Sequence, residues 1–329
     1  MPRWASHSSN KGPRRSKSIP AIASTRNGRD NKGMSLPAFP TWVSGALFQP
    51  GQPSFAAEDE GLLLGLSVFD SMIWDRGCVF FFEEHMQRFQ SGLEQLGVSW
   101  PLPWEPEVAM NELIHAIQAT GAMPEQLILR MTATRGVPGR GPSLSVAGRL
   151  CEELPAGGVV VALAGELKAI GDRCEGIKST NRLRNVLARE AGRAKGAWEV
   201  IFATTDGDLS EGTISNLFAV IPGAAGARLV TPSEERGCLG GIIRNLVIAD
   251  LQREPLLVDG QVIPIEVGRV LLSDLGIATE LFLTNTTQRV IPVREILEHH
   301  ANLAGVTGPV TRAVAERIAL LEATYRAKG

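Results

Sequence analysis

The sequence of this 329-residue chain predicts an α/β (α+β) fold in two domains. Short apolar runs that alternate with polar residues indicate strands, and longer stretches with apolar residues three or four positions apart indicate helices. The two patterns follow each other along the chain without an internal repeat. Because 44% of the residues are hydrophobic, the chain has enough apolar material to bury a sizeable core.

The first 36 residues differ from the rest, and we predict a disordered basic leader at 1–36. Eight Lys and Arg residues stand here against one acid, Asp30. Low hydrophobicity combined with one sign of charge favours disorder. A transit peptide has a similar composition. We favour a solvated tail, or a chain whose true start is Met34.

Residues 37–164 are predicted to form a small N-terminal α+β domain. The helix expected at 83–97 places Met86, Phe89, Leu93 and Leu96 on one face. The other elements predicted here are a hairpin at 41–48, strands at 68–74, 79–81, 127–132 and 159–163, and a helix at 106–119.

A stretch rich in glycine and charged residues at 165–176 is predicted to be the interdomain linker, and residues 177–329 the larger second domain. Its first helix, after residue 182, carries Leu183, Val186 and Leu187 on one side. Further strands are predicted at 199–204, 216–221, 228–231 and 281–284, and further helices at 242–252 and 310–324.

Composition excludes several classes of function. A net charge of −2 gives no reason to expect a nucleic acid or a membrane surface as partner. The four cysteines, Cys78, Cys151, Cys174 and Cys238, form no C-x-x-C pair, so neither a zinc site nor a disulfide framework is predicted. Their spacing suits a reducing compartment, and we expect a cytoplasmic protein.

Two segments in the second half carry residues with distinctive chemistry. Residues 176–183 read G-I-K-S-T-N-R-L and contain Lys178, whereas residues 209–218 read L-S-E-G-T-I-S-N-L-F and contain Glu211. A lysine can form a Schiff base with the aldehyde of pyridoxal 5′-phosphate (PLP), and a carboxylate can hold the pyridine nitrogen protonated.

Together these motifs resemble the class IV (fold-type IV) PLP enzymes, which include branched-chain and D-amino acid aminotransferases and aminodeoxychorismate lyase. The E-x-x-x-S-N-L-F run that begins at Glu211 is the most specific match, and the resemblance spans roughly residues 40 to 315. It implies PLP as cofactor, Lys178 as the catalytic Schiff-base lysine and Glu211 as the partner of the ring nitrogen. It also implies a larger second domain with a central β-barrel-like sheet.

The resemblance assigns the phosphate of PLP to three segments. Arg88 stands in an H-x-x-R motif at 85–88, and residues 239–244 read L-G-G-I-I-R, matching a family motif L-x-G-I-x-R. In that motif main-chain N–H groups hold the phosphate at a helix N-terminus. The third segment follows the strand predicted at 281–284 and contains Thr286. The residues implied to bind the cofactor, besides Lys178 and Glu211, are Arg88, Gly241, Ile242, Ile243, Thr286 and Arg182.

The residues on the substrate side favour aminodeoxychorismate lyase, with a class IV aminotransferase for a D-amino acid, a branched-chain amino acid or an amine as the alternative. Residues 178–183 follow the K-x-x-N-R-L pattern of the lyases, and residues 135–141 resemble their R-G-x-x-G-R-G run. Arg140 and Phe69 are the predicted substrate-binding residues. The tyrosine that branched-chain enzymes place near Arg182 is missing, since the only tyrosine is Tyr325.

The resemblance also implies partners. We expect a small-molecule amino substrate, a homodimer, and neither nucleic acid nor a membrane. Asp70, which follows Phe69, departs from the family pattern, because branched-chain enzymes have glutamate at this position.

Overall fold

The structure is a computed structural model that describes residues 39–52, 54–224, 226–299, 303 and 307–328. The predicted leader at 1–36 lies outside these residues. No helix within the described ranges is both long and apolar enough to cross a membrane.

The first half of the described chain forms a six-stranded antiparallel sheet in the order β2-β1-β6-β5-β3-β4. Helices α2 and α3 pack against one face, where Phe89 and Leu113 meet Val68 and Met72 in a common core. The elements are β1 (Thr41–Val43), β2 (Ala46–Phe48), α1 (Glu60–Leu63), β3 (Ser67–Asp75), β4 (Cys78–Val79), α2 (Phe82–Leu96), α3 (Pro106–Ala119), β5 (Gln126–Val137) and β6 (Gly141–Leu150).

The second half forms an eight-stranded sheet in the order β14-β11-β10-β15-β16-β7-β8-β9. Its elements are β7 (Val159–Lys168), α4 (Leu183–Ala194), β8 (Glu199–Thr204), β9 (Leu209–Gly212), β10 (Asn216–Ile221), β11 (Arg228–Pro232), α5 (Ile242–Arg253), β12 (Leu256–Val258), β13 (Gln261–Ile263), β14 (Ile265–Gly268), β15 (Glu280–Asn285), β16 (Arg289–Ile296) and α6 (Pro309–Lys328), with 3-10 turns at Glu234–Arg236 and Leu272–Gly276.

This second sheet closes on itself. β9 pairs with β10 through Glu211 and Asn216, which joins β10, β15, β16, β7, β8 and β9 into a six-stranded ring. Every residue of β8, β9 and β10 is buried, as expected for strands covered on both faces. The α+β fold with a barrel-like sheet in the second half is therefore confirmed.

Strand β7 differs from the sequence prediction at both ends. It pairs in parallel with β16 and β8, so it belongs to the second sheet although 159–163 was predicted in the first domain. Residues 165–168 of the predicted linker are also strand. The linker at 165–176 is thus corrected at its start, because the charge of Lys168 is buried in ion pairs rather than solvated. The division into two domains itself stays a prediction.

Helix α4 is confirmed as a helix, but its apolar side does not face the core. Leu183, Val186 and Leu187 are 71%, 48% and 53% exposed, whereas Ala188 and Gly192 face inward. The inward face is made of small residues because Val200 of β8 lies so close that a Cβ at Gly192 would collide with it. The exposed apolar side is therefore free for another surface.

Candidate active site

Lys178 lies where the chain leaves the barrel and runs beside the first sheet. Its carbonyl accepts the N–H of Phe69 at 2.9 Å, and the N–H of Thr180 donates to the carbonyl of Ser67 at 3.2 Å. These bonds extend the edge of β3 and bring the Lys178 side chain over the aromatic ring of Phe69. The ammonium nitrogen lies 4.7 Å from the ring centroid.

The pKa of Lys178 is lowered from its ordinary value to about 7. Burial of the amine is the largest cause, and the positive charges of Arg88 and Arg182 act in the same direction. The negative charges of Asp70 and Glu211 oppose the shift without cancelling it. A large neutral fraction is therefore present near neutral pH, as imine chemistry and proton transfer require.

Glu211 is buried in β9, where three donors hold its carboxylate. Its Oε1 accepts from Lys168 Nζ at 2.8 Å, and its Oε2 accepts from the N–H of Leu239 at 2.9 Å and from Asn216 Nδ2 at 3.3 Å. A buried carboxylate with this many charged and polar partners is fixed in position. It is the geometry that a partner for a ring nitrogen needs.

The turn between β9 and β10 is built around a second buried carboxylate, Glu199. It accepts from the hydroxyls of Thr213 at 2.5 Å and Ser215 at 2.8 Å and from the N–H of Ile214 at 3.1 Å. Arg182 braces the same turn by donating to the carbonyl of Thr213 at 2.6 Å. Arg182 thus lies beside the turn that follows Glu211, and part of its guanidinium supports the turn itself.

The loop before α5 connects Glu211 with Arg88. Asn216 Nδ2 donates to the carbonyl of Leu239 at 2.7 Å, and Arg88 Nη1 donates to the carbonyl of Gly240 at 3.2 Å. A Cβ at Gly241 would collide with Oδ1 of Asn216, so glycine is needed at this close approach.

Helix α5 begins directly after this loop with Ile242 and Ile243, and no side chain caps it. Its first N–H groups and Arg88 are suited to an anion. Thr286, which follows β15, is half-buried, and its hydroxyl has no hydrogen-bond partner within the described ranges.

Arg88 is held by Asp70, whose role the sequence left open. Its Nε and Nη2 donate to the two oxygens of Asp70 at 2.8 and 2.7 Å, and His85 Nδ1 lies 2.8 Å from the same carboxylate. Burial alone would raise the pKa of Asp70, but the charges of Arg88 and His85 hold it well below its usual range. Asp70 therefore orients Arg88, and the remaining N–H groups of the Arg88 guanidinium stay available to bind an anion.

The two predicted substrate residues lie in different surroundings. Phe69 is buried directly beneath the Lys178 amine. Arg140 is exposed in the turn between β5 and β6, and its guanidinium forms no hydrogen bond or ion pair within the described part of the chain. Of the two predicted substrate residues, Phe69 therefore contacts Lys178, whereas Arg140 makes no hydrogen bond or ion pair with it.

A third residue, Arg130 of β5, was missed by the sequence analysis. Its guanidinium stacks 3.7 Å above the same Phe69 ring and has no acceptor among the residues that the structure describes. Burial lowers the pKa of Arg130 to about 10, and the charges of Arg149 and Arg182 contribute. The available signal was an arginine inside an otherwise apolar strand, L-I-L-R-M.

The arrangement fits PLP. Lys178 would take its aldehyde end, Glu211 its ring nitrogen, and Arg88 with the start of α5 its phosphate. One buried hydroxyl near Glu211 also lacks a partner in the described chain: Thr284 of β15 pairs with Asn216 of β10, which pairs in turn with Glu211 of β9. Unpartnered buried hydroxyls are costly, which supports a polar ligand here.

Known proteins of one family are similar to this chain. The sequence profile of the class IV aminotransferases (Amino-transferase class IV) matches residues 67–296. The aminodeoxychorismate lyase of Bacillus subtilis is 25% identical over 83% of this chain and 91% of its own. The D-alanine aminotransferase of Bacillus licheniformis is 26% identical over 82% of this chain and 93% of its own.

A solved structure has the same fold. The branched-chain aminotransferase from Thermoproteus uzoniensis, crystallised with norvaline, superimposes with a TM-score of 0.71 at 25% identity, covering 88% of this chain and 94% of that one.

Proposed function

Since this chain belongs to the class IV aminotransferase family and is a PLP enzyme, we propose that it is an aminodeoxychorismate lyase. The substrate, 4-amino-4-deoxychorismate, would be converted to p-aminobenzoate and pyruvate for folate synthesis. The observation that carries the proposal is Arg130, whose guanidinium shares the Phe69 ring with the Lys178 amine and has no carboxylate partner in the described chain.

Substrate charge separates candidates whose substrate has two carboxylates from those whose substrate has one. Aminodeoxychorismate carries two carboxylates, whereas alanine and the branched-chain amino acids carry one. Burial lowers the pKa of Arg130, and the positive charges of Arg149 and Arg182 lower it further, which indicates a region that an anion of higher charge would neutralise. The site also lacks the phenol expected of a branched-chain enzyme, because the only tyrosine, Tyr325, donates to Glu83 at 2.6 Å.

The proposed roles follow from the geometry. PLP supplies an electron sink for the bond that breaks at the substrate. Lys178, with its amine largely neutral near pH 7, would take the proton from C4 of the substrate. That proton balances the departure of the enolpyruvyl group as pyruvate, so no other reactant is needed. Arg130 would bind a substrate carboxylate, and Phe69 would pack against the ring.

The alternative is an aminotransferase, which would use the same lysine and carboxylate. It is favoured by the similarity to D-alanine and branched-chain aminotransferases. An aminotransferase that accepts glutamate also handles two carboxylates, so the charge around Arg130 alone does not separate the two reactions. A measurement of products does.

A paired assay on the PLP-loaded protein tests the proposal. One arm supplies aminodeoxychorismate and measures p-aminobenzoate and pyruvate, and the other supplies L- and D-amino acids and measures keto acids. We expect equimolar p-aminobenzoate and pyruvate. Keto acid formation without p-aminobenzoate would make the protein an aminotransferase and overturn the proposal.

We also propose that the chain is a homodimer in the cytoplasm. The exposed side of α4, with Leu183 and Leu187, adjoins Leu62, Leu63 and Leu64, which are at least 62% exposed. The two groups are joined by a hydrogen bond from Asn181 Nδ2 to the carbonyl of Gly65 at 3.1 Å. A contiguous exposed apolar patch beside an active site is typical of an interface. The four cysteines are free, as a reducing compartment requires.

Charged substitutions in this patch are expected to separate the subunits. The double variant Leu63→Glu/Leu183→Glu places two carboxylates in the proposed interface, where they cannot be paired. Light scattering coupled to gel filtration should show the monomer mass, and the wild type twice that mass. Leu320→Glu, at an equally exposed leucine of α6, is the matched control and should stay dimeric. A wild-type monomer would contradict the proposal.

A further inference from the structure

Lys168 is a fully buried charged group beside Glu211. Its side chain is 0% exposed, at the end of β7, and its Nζ lies 2.8 Å from each of three acceptors: Glu211 Oε1, Glu175 Oε2 and the carbonyl of Gly237. Burying an ammonium group is strongly unfavourable unless it is paired and hydrogen-bonded. Two hydrogen bonds, to Glu211 and Gly237, and the ion pair with Glu175 fix this lysine in place.

The ion pairs of Lys168 continue toward Lys178. Glu175 also pairs with Arg184 of α4, and it stands three residues before Lys178. Arg184, Glu175, Lys168 and Glu211 therefore form a chain of alternating charges that runs from the surface to the carboxylate in β9. One end of this chain holds Glu211, and its middle holds the segment that carries Lys178.

The acceptor positions of Glu211 show what Lys168 controls. A carboxylate offers about four lone-pair positions, two on each oxygen. Leu239 and Asn216 both donate to Oε2, and Lys168 donates to Oε1. The position that remains is on Oε1, the oxygen that Lys168 already binds. A ring N–H that approaches Glu211 must therefore share this oxygen with Lys168.

We propose that Lys168 is a positioning residue for PLP. Lys168 holds Glu211 so that the free acceptor position on Oε1 faces the ring nitrogen, and it thereby sets the distance between the ring nitrogen and Lys178. It does not touch the cofactor and acts through Glu211. The inference rests on the PLP site of the proposed function and not on the reaction, so a lyase and an aminotransferase are equally compatible with it.

The test compares two ligands in the apoprotein. PLP has the ring nitrogen, and its 1-deaza analogue has carbon in its place. We expect Lys168→Met to weaken PLP binding by about 10- to 100-fold, by analogy with the loss of metal affinity when a residue that orients a metal ligand is removed. Binding of the 1-deaza analogue should not change, because it has no N–H to share Oε1. Equilibrium titration followed by absorbance gives both affinities.

Two further variants keep the result interpretable. Lys195→Met removes an exposed lysine that pairs with Glu298 and should leave both affinities unchanged. Lys168→Arg keeps the charge with another geometry, so its PLP affinity should lie between those of the wild type and Lys168→Met, with the affinity for the 1-deaza analogue unchanged. If Lys168→Met fails to fold, this comparison of the two ligands on Lys168→Arg tests the proposal. Equal weakening of both ligands would show a merely structural role, and no weakening of either would also overturn the proposal. Neither outcome depends on product formation, so the failure of the lyase assignment would be seen separately.

Discussion

Replacement of Lys178 by alanine is expected to abolish turnover, with a fall in kcat of about 10⁴-fold or more. A positioned general base contributes about 10²- to 10⁴-fold on its own, and the same residue also provides the covalent attachment of PLP. The variant should still bind PLP, because Glu211 and Arg88 remain. Steady-state kinetics and the absorbance of the bound cofactor test both statements, with Lys195→Ala as the control at an exposed lysine. Turnover within tenfold of wild type would exclude Lys178 as the catalytic base.

The lowered pKa adds a dependence on pH to the same prediction. Only the neutral amine attacks an aldehyde, and the Lys178 amine is neutral above its pKa of about 7. The rate of PLP attachment to the apoprotein should therefore rise as the pH increases through 7 and then level off. Arg88→Gln removes a charge that lowers this pKa, so the midpoint should move upward. Stopped-flow absorbance measures it, and a wild-type midpoint near 10 would contradict the burial argument.

Some of this site could be read from the sequence because its parts are short and continuous in the chain. The segment from Glu211 to Phe218 contains the whole turn between β9 and β10, and the loop at 239–241 leads straight into α5. The spacing of apolar residues likewise predicted α2 at 83–97, against the observed Phe82–Leu96. A motif that is continuous in the chain reflects local geometry, so it can be recognised from the sequence without knowledge of the fold.

The rest depends on contacts between distant segments. Lys168 was placed in a linker because a charged residue beside glycines favours a solvated loop, yet its partner Glu211 lies 43 positions away and buries it. Asp70 and Arg88 come together only when β3 and α2 pack. The apolar side of α4 shows the other limit: periodicity identifies such a face but not the surface that covers it.

Arg130 gives the second large effect, and its expected result concerns affinity for the substrate. Arg130→Leu should raise KM for a substrate with two carboxylates by about 10- to 100-fold, because a hydrogen bond to a charged group contributes about 1.5–3 kcal/mol. The value of kcat should change less, since the proton is accepted by Lys178 and not by Arg130. Arg130→Lys keeps the charge but loses the planar fork, so an intermediate KM is expected. Arg76→Leu, at an exposed arginine after β3, is the control.

Comparing substrates that have one carboxylate with substrates that have two tests whether Arg130 binds the substrate or only supports Phe69. If Arg130 binds the second carboxylate, Arg130→Leu should impair aminodeoxychorismate or glutamate far more than alanine. An equal loss for all substrates would instead mean that Arg130 only supports Phe69, on which its guanidinium stacks at 3.7 Å.

Stability provides an independent measure of the same question. A half-buried cation without a partner in the described chain, and repelled by Arg149 and Arg182, contributes little to folding. Thermal unfolding of the Arg130→Leu apoprotein should therefore occur at the wild-type temperature or above it. Lost substrate affinity with retained stability is the combination expected of a residue kept for its ligand rather than for the fold. A lower unfolding temperature would show that the guanidinium has a structural partner after all.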